Sequence, residues 1–279
     1  MRRRNFLALA AATPLAASIP MRRAGKPEIV YKSPGPHPNG LQATADGLWV
    51  MDQGNNKVYL VRHDDGKVLR EFETEADKAS GITYDGEALW LASTYNRLIL
   101  RVSATTGKTL SEYYTPGAGV IYRMAGDPPA RSSPLAKPPT EKKAASAPAA
   151  ADRWPARSPG TGAHGLEWRD GKLWMAAPPA RTFYRLDPRN WIVERKFPTP
   201  ANRPHGMGWE GKYLWLTDSN LNAFFKHDPD TGEIVEKIQL ADSDPLPHGM
   251  TIWNGKMFYC DDVGVICTIN LTDRAHSKN

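Results

Sequence analysis

The sequence predicts an all-β fold, a β-propeller of four-stranded blades. Three observations carry that reading. A unit of about 40 residues recurs along the chain. Each unit alternates apolar strand residues with Gly, Asp and Asn turns, and no segment sustains a helical period. The last unit stops one strand short, and the missing strand stands at the other end of the chain.

The units begin Asn39-Gly40-Leu41, Ser80-Gly81-Ile82, His164-Gly165-Leu166, His205-Gly206-Met207 and His248-Gly249-Met250. Nine residues after each glycine comes an aromatic: Trp49, Trp90, Trp174, Trp215 and Phe258. Three residues further stand Asp52, Ser93, Ala177, Asp218 and Asp261. A short turn, a second apolar run such as Val58-Tyr59-Leu60-Val61, a tight turn such as Asp228-Pro229-Asp230-Thr231-Gly232 and a closing strand complete the unit. Glycine-to-glycine spacings of 41, 41 and 43 fit a propeller blade. The tryptophans at 49, 90, 174 and 215 are expected between blades. Trp168 and Trp209 face either core or channel.

Glu28-Ile29-Val30-Tyr31-Lys32 resembles the closing strand that begins Val193-Glu194-Arg195-Lys196. It is therefore expected to complete the last blade from the outside, which removes an open sheet edge. From Gly81 to Gly165 is 84 residues, twice the period. The Pro/Ala/Lys/Ser tract there lacks a Gly-x-Leu-Trp strand, so five blades with an insertion at about 124–160 are expected, with six blades as the alternative. That composition argues for disorder, and its place in the chain puts it over the face that carries the histidines.

Residues 1–20 read as an export signal, and 21–279 as one propeller domain. Arg3-Arg4-Asn5-Phe6-Leu7 matches a twin-arginine motif, an apolar stretch too short to span a bilayer follows, and Ala16-Ala17-Ser18 offers small residues for cleavage. The expected location is periplasmic or secreted, in a bacterium, with no membrane span in the mature chain. Of the formal charge of +6, Arg2, Arg3 and Arg4 supply three. No basic stripe with interleaved aromatics is left, so nucleic acid is not an expected partner. An oxidising compartment allows the two cysteines to pair. A hairpin turning at Val263-Gly264 would set Cys260 opposite Cys267, within reach of a disulfide.

In a propeller the first strand of each blade lines the axis. The residue before each repeat glycine then rings the mouth: Asn39, Ser80, His164, His205 and His248, with His37 close by. The residue three after the aromatic lies on the same face, further out: Asp52, Ser93, Ala177, Asp218 and Asp261. Imidazoles and carboxylates converging on a pocket suit a divalent metal. The expected ligands are His164, His205, His248 and His37. Asn39, Ser80, Asp52, Asp218 and Asp261 would support them or bind substrate. There is no Gly-x-Ser-x-Gly elbow, phosphate-binding glycine loop or Cys-x-x-Cys.

The repeat starts and turns such as Asp170-Gly171-Lys172-Leu173-Trp174 resemble the superfamily that includes streptogramin lyases and NHL-repeat proteins, over about residues 28–271. Streptogramin lyases open a lactone by metal-assisted elimination, with His and Glu near the axis. No glutamate stands in the matching columns here, so the resemblance leaves the catalytic base unassigned. Peptide amidating lyases are similar in outline, and that likeness implies a metal on His164, His205 and His248. Plant-type glutaminyl cyclases are five-bladed, but their local motifs are not found here. Two functions follow as expectations: a metal-dependent lyase or hydrolase acting on a small molecule, or a non-catalytic propeller that binds a ligand or protein across the axial face.

Overall fold

The computed structural model describes residues 19–137 and 160–272. The export signal, apart from Ile19 and Pro20, and the second half of the insertion lie outside the described residues. Five four-stranded antiparallel sheets form the ring. Strand β1 (Glu28–Lys32) comes first in the chain. Blade one holds β2 (Pro38–Thr44), β3 (Gly47–Asp52), β4 (Lys57–Val61) and β5 (Val68–Glu73). Blade two holds β6 (Ile82–Tyr84), β7 (Ala88–Ser93), β8 (Leu98–Ser103) and β9 (Thr109–Tyr114). Blade three holds β10 (Gly165–Arg169), β11 (Lys172–Ala177), β12 (Thr182–Asp187) and β13 (Ile192–Pro198). Blade four holds β14 (Pro204–Glu210), β15 (Tyr213–Asp218), β16 (Ala223–His227) and β17 (Ile234–Gln239). Blade five holds β18 (Met250–Trp253), β19 (Lys256–Asp261) and β20 (Val265–Asn270), and β1 closes it from the outside.

Alternation decides what each strand buries. Trp49, Trp90, Trp174 and Trp215 are at most 3% exposed and pack between blades. Trp168 stacks on Trp90 and Trp209 meets Trp174 edge-on, so both face core rather than channel. The inner strands β2, β6, β10, β14 and β18 touch in a closed circle. The repeat glycines permit that closeness. A Cβ on Gly165 would stand 1.8 Å from the His205 carbonyl oxygen, and one on Gly206 would stand 2.0 Å from the Met250 nitrogen. Both distances lie far inside contact, so these positions admit no side chain.

The cysteine expectation fails on register. Asp261 pairs with Val265, so the β19–β20 turn has three residues, not two. Cys260 therefore faces Ile266, and Cys267 faces Tyr259. Successive strand residues point to opposite faces. Cys260 joins the core against blade one and Cys267 the core against blade four. Both thiols are free and buried.

The first half of the insertion is a strap. Gly119 bridges to Thr161. Asp127 takes a bidentate ion pair from Arg181 of blade three. The Arg131 amide donates to Asn220 of blade four. The Ser133 hydroxyl donates to Asp261 of blade five at 2.6 Å and is buried. Residues 124–137 are thus pinned across the face that carries the histidines, contrary to the disorder expected from their composition. Residues 138–159 lie outside the described residues.

Candidate functional site

Four of the five blades carry a clamp at the top of the second strand. Asp52 accepts the His37 amide at 2.7 Å together with the Gly54 and Asn55 amides. Asp218 accepts the Arg203 and Leu221 amides, and Asp261 accepts the Leu246 amide. Ser93 does the same for Asp77. This column ties the loop entering a blade to that blade's second strand. Blade three has Ala177 there and no clamp, and its entering loop comes from the insertion. The carboxylates expected near substrate are therefore engaged by backbone. Burial pushes the Asp218 and Asp261 carboxyls up, and the amide bonds oppose that rise.

The column before the repeat glycine does ring the mouth. His164 and His205 lie edge-to-face with ring centres 4.9 Å apart, and His205 and His248 follow at 4.8 Å. The three form a row along one side of the circle. Ser80 accepts from Gln53 Nε2. Asn39 is 4% exposed, and its Oδ1 has no partner. His37 sits on the same face, half-buried, close enough that its charge bears on His248.

Hydrogen bonds set the direction of the row. Ser219 Oγ donates its one proton to the Pro247 carbonyl at 2.6 Å. It must then accept from His205 Nδ1, 3.0 Å away, and the Arg203 carbonyl lies 3.1 Å from the same nitrogen. His205 is therefore the Nδ1–H tautomer, and its Nε2 lone pair accepts from His164 Nδ1 at 3.3 Å. That leaves the lone pair on His164 Nε2, which is buried with no partner among the described residues. His248 Nε2 accepts from Arg203 Nη2 at 3.1 Å, with Nδ1 towards the Leu246 carbonyl. Burial, reinforced by the Arg203 charge, holds all three imidazoles neutral. It brings His164 and His248 down to about 3.

Arg203 is the residue that sequence reasoning missed. It stands three before Gly206, where the other blades have His37, Lys78, Gly162 and Leu246, so no shared residue type marks the column. Its Nη1 donates to the strap carbonyl of Arg131. Among the described residues no carboxylate lies within ion-pair distance of it. Burial lowers its pKa, and the charges of Asp262 and Asp218 oppose that effect.

As placed, the three histidines do not converge as a cup. The lone pairs of His205 and His248 are occupied, and a guanidinium sits beside them. Among the described residues, one set of three metal-type ligand atoms lies within 4.8 Å: His248, Asp261 and Asp262.

Three residues farther along each inner strand, about 10 Å deeper, a second polar layer was also missed. It comprises Gln42, Thr83, Glu167, Gly208 and Thr251. Gln42 Nε2 donates to the Ala43 carbonyl, which turns its Oε1 towards the Thr83 hydroxyl at 2.6 Å. Thr83 also meets Glu167. Burial pushes the Glu167 carboxyl up to about 8, against the pull of the Trp168 amide, which donates to its Oε1 at 2.9 Å, and of Thr83.

No family model matches the chain, and no curated protein matches its sequence. Its fold is similar to the crystal structure of Myxococcus xanthus glutaminyl cyclase, with TM-score 0.61, 11% identity, and 89% of this chain and 97% of that chain covered. It is also similar to a catalytically inactive virginiamycin B lyase from Staphylococcus aureus with quinupristin, with TM-score 0.47, 20% identity, and 84% of this chain and 66% of that chain covered. A streptogramin B lyase structure matches with TM-score 0.47, 19% identity, and 84% of this chain and 64% of that chain covered. At these identities the likeness is one of fold.

Proposed function

We propose that this chain is an exported propeller enzyme that transforms a small molecule at its axial mouth by acid–base chemistry of the lyase or hydrolase type. One observation carries the reading: the directed row Ser219, His205, His164 ends on an Nε2 lone pair that no described residue meets, within reach of the Arg203 charge. A base oriented by a second group, itself oriented by a third, is how proteins prepare a side chain for proton transfer. In this reading His164 Nε2 takes the substrate proton. His205 and Ser219 hold the tautomer and spread the resulting positive charge. Arg203 steadies the oxyanion that develops on substrate. Export rests on the Arg3-Arg4 motif.

A second reading keeps the divalent metal. The spacing of His248, Asp261 and Asp262 favours it, as does the carbonyl partner on Nδ1 of His205 and His248, a usual outer contact of metal-bound histidine. A site using His164, His205 and His248, with His37 as a further ligand, would need Arg203 to leave His248 and the His164–His205 contact to open.

The test is a turnover screen combined with elemental analysis. Lactones follow from the resemblance of the repeats, and peptides with N-terminal glutamine from the fold of the cyclase. The expected outcome is turnover that falls by about 100-fold or more in His164→Gln, with unchanged circular dichroism and no stoichiometric metal. Equal rates would remove His164 as base. A stoichiometric metal lost in His248→Ala would establish the second reading. Ligand binding without turnover by any variant would leave a binding propeller.

A further inference from the structure

We infer that the axial mouth is built for a small carboxylate that carries an amino or hydroxyl group close to the acid. The inference rests on the reading above that the mouth is the ligand site, and it names the ligand class.

The mouth has two kinds of unmet demand. The first is for negative charge. Arg203 is mostly withdrawn from water, and among the described residues its Nη atoms touch only neutral acceptors, the Arg131 carbonyl and His248 Nε2, and no carboxylate pairs with it. A guanidinium presents donors in a planar fork that matches a carboxylate. The second demand is for a donor. Among the described residues, Asn39 Oδ1 and His164 Nε2 are buried acceptors without partners. Buried polar groups left unmatched are costly, so each marks a place for an N–H or O–H. Both belong to the ring of residues that precede the repeat glycines. The Arg203 charge reaches all three imidazoles, so the cation and the open acceptors share one small mouth. One compact molecule that meets both demands carries an acid at one end and an amine or hydroxyl beside it.

Asp262 sharpens the argument. Its carboxylate lies 3.4 Å from His248 Nε2, its side chain is 24% exposed, and it makes no ion pair with Arg203. It stands at the rim as a competing negative charge. A ligand carboxylate on Arg203 would feel it, and its removal would tighten binding.

The experiment is calorimetric titration of the full chain at pH 7 and low salt with lactate, alanine, propanoate and 1,2-propanediol. Lactate or alanine is expected to bind about tenfold or more tightly than both propanoate and the diol. Arg203→Gln should abolish the margin over the diol, and Asp262→Asn, a conservative change at the rim, should widen it. Four equal affinities, no binding by any of the four, or a margin over the diol that survives Arg203→Gln in folded protein would overturn the inference. The enzyme reading fails separately. Preferential binding of lactate or alanine with no turnover in the substrate screen would sink catalysis and leave the ligand class standing. Turnover of a neutral substrate that none of these acids inhibits would do the reverse.

Discussion

The two polar layers on the axis come from the same five strands, three residues apart, yet they are built on opposite terms. The lower layer closes on itself. Thr83 and Gln42 pass hydrogen bonds on to the Ala43 carbonyl, Glu167 meets Thr83 and takes the Trp168 amide, and Thr251 accepts the Ala43 amide. The upper layer ends in open acceptors and an unpaired cation. Between them lies the ring of glycines, where the inner strands touch. A repeat supplies the frame for both layers, and the chemistry gathers where its polar groups are left unmatched.

The largest effect should come from removing the partition. Gly165→Ala would drive a Cβ into the His205 carbonyl. We expect a loss of about 3 kcal/mol or more in urea unfolding, with both layers disrupted together. An unchanged midpoint would mean that the strands can part, and that the layers are not separated in this way.

Next comes pH, where the layers oppose one another. The Glu167 carboxyl titrates near 4.5 when unfolded and at about 8 when folded. The folded state therefore holds the extra proton between those values, and its stability falls as pH rises across that window. Arg169 is the one nearby charge that favours the carboxylate. Glu167→Gln keeps a donor towards Thr83 and should flatten this slope, making the variant several kcal/mol more stable than the parent at pH 9. The histidines have the reverse sign. Their folded values lie below 6.5, so the unfolded chain binds the extra protons and stability falls as pH drops from 6.5 towards 3. His164→Gln should weaken the acid-side loss and leave the alkaline side alone. Thermal midpoints from pH 4 to 9 measure both, and a Glu167→Gln curve parallel to the parent's would show the lower layer to be ionised.

Smaller effects test the direction of the row and of the frame. Ser219→Ala removes the acceptor that selects the Nδ1–H form of His205. Long-range imidazole nitrogen spectra should show His205 losing its single tautomer, at a stability cost of about 1 kcal/mol. A spectrum that keeps the parent tautomer would assign the choice to the Arg203 carbonyl alone. Thiol titration of denatured, unreduced protein should count two free cysteines, because Cys260 and Cys267 point to opposite faces of one sheet.

The ring was legible because repetition exposes it. Five glycines, five aromatics nine residues on, and an orphan N-terminal strand point to five blades and their closure, and only the 84-residue gap left room for a sixth. The site was legible only where it follows the repeat. His164, His205 and His248 were found from their shared column. Glu167 lies in an equally regular column, two after the glycine, where polar residues or glycine recur between apolar neighbours, so its signal was present and unread. Arg203 had no such signal. Nothing in an Arg-Pro-His sequence says that the guanidinium turns towards the next blade's histidine. The strap is illegible for a related reason. Its composition reports how little apolar surface it can bury, whereas it is held by polar bonds from Arg181, Asn220 and Asp261. The cysteine register turned on one residue of loop length, the kind of detail that flips every side chain of a strand.

The closing strand has a consequence for how this protein is made. Glu28 is paired with Thr268, so the first strand to leave the ribosome is the last to find its place. Just ahead of it, Arg22 grips Glu210 and Glu236, and Met21 bridges to Lys237, fastening the start of the chain to blade four as well. Blades one to four can be assembled during synthesis, but the circle cannot shut until β20 has been made. Contacts this distant in sequence form slowly. Until then the growing chain carries two unmatched edges, one at each end of an open arc, and release or truncation before β20 would leave both exposed to a neighbouring molecule.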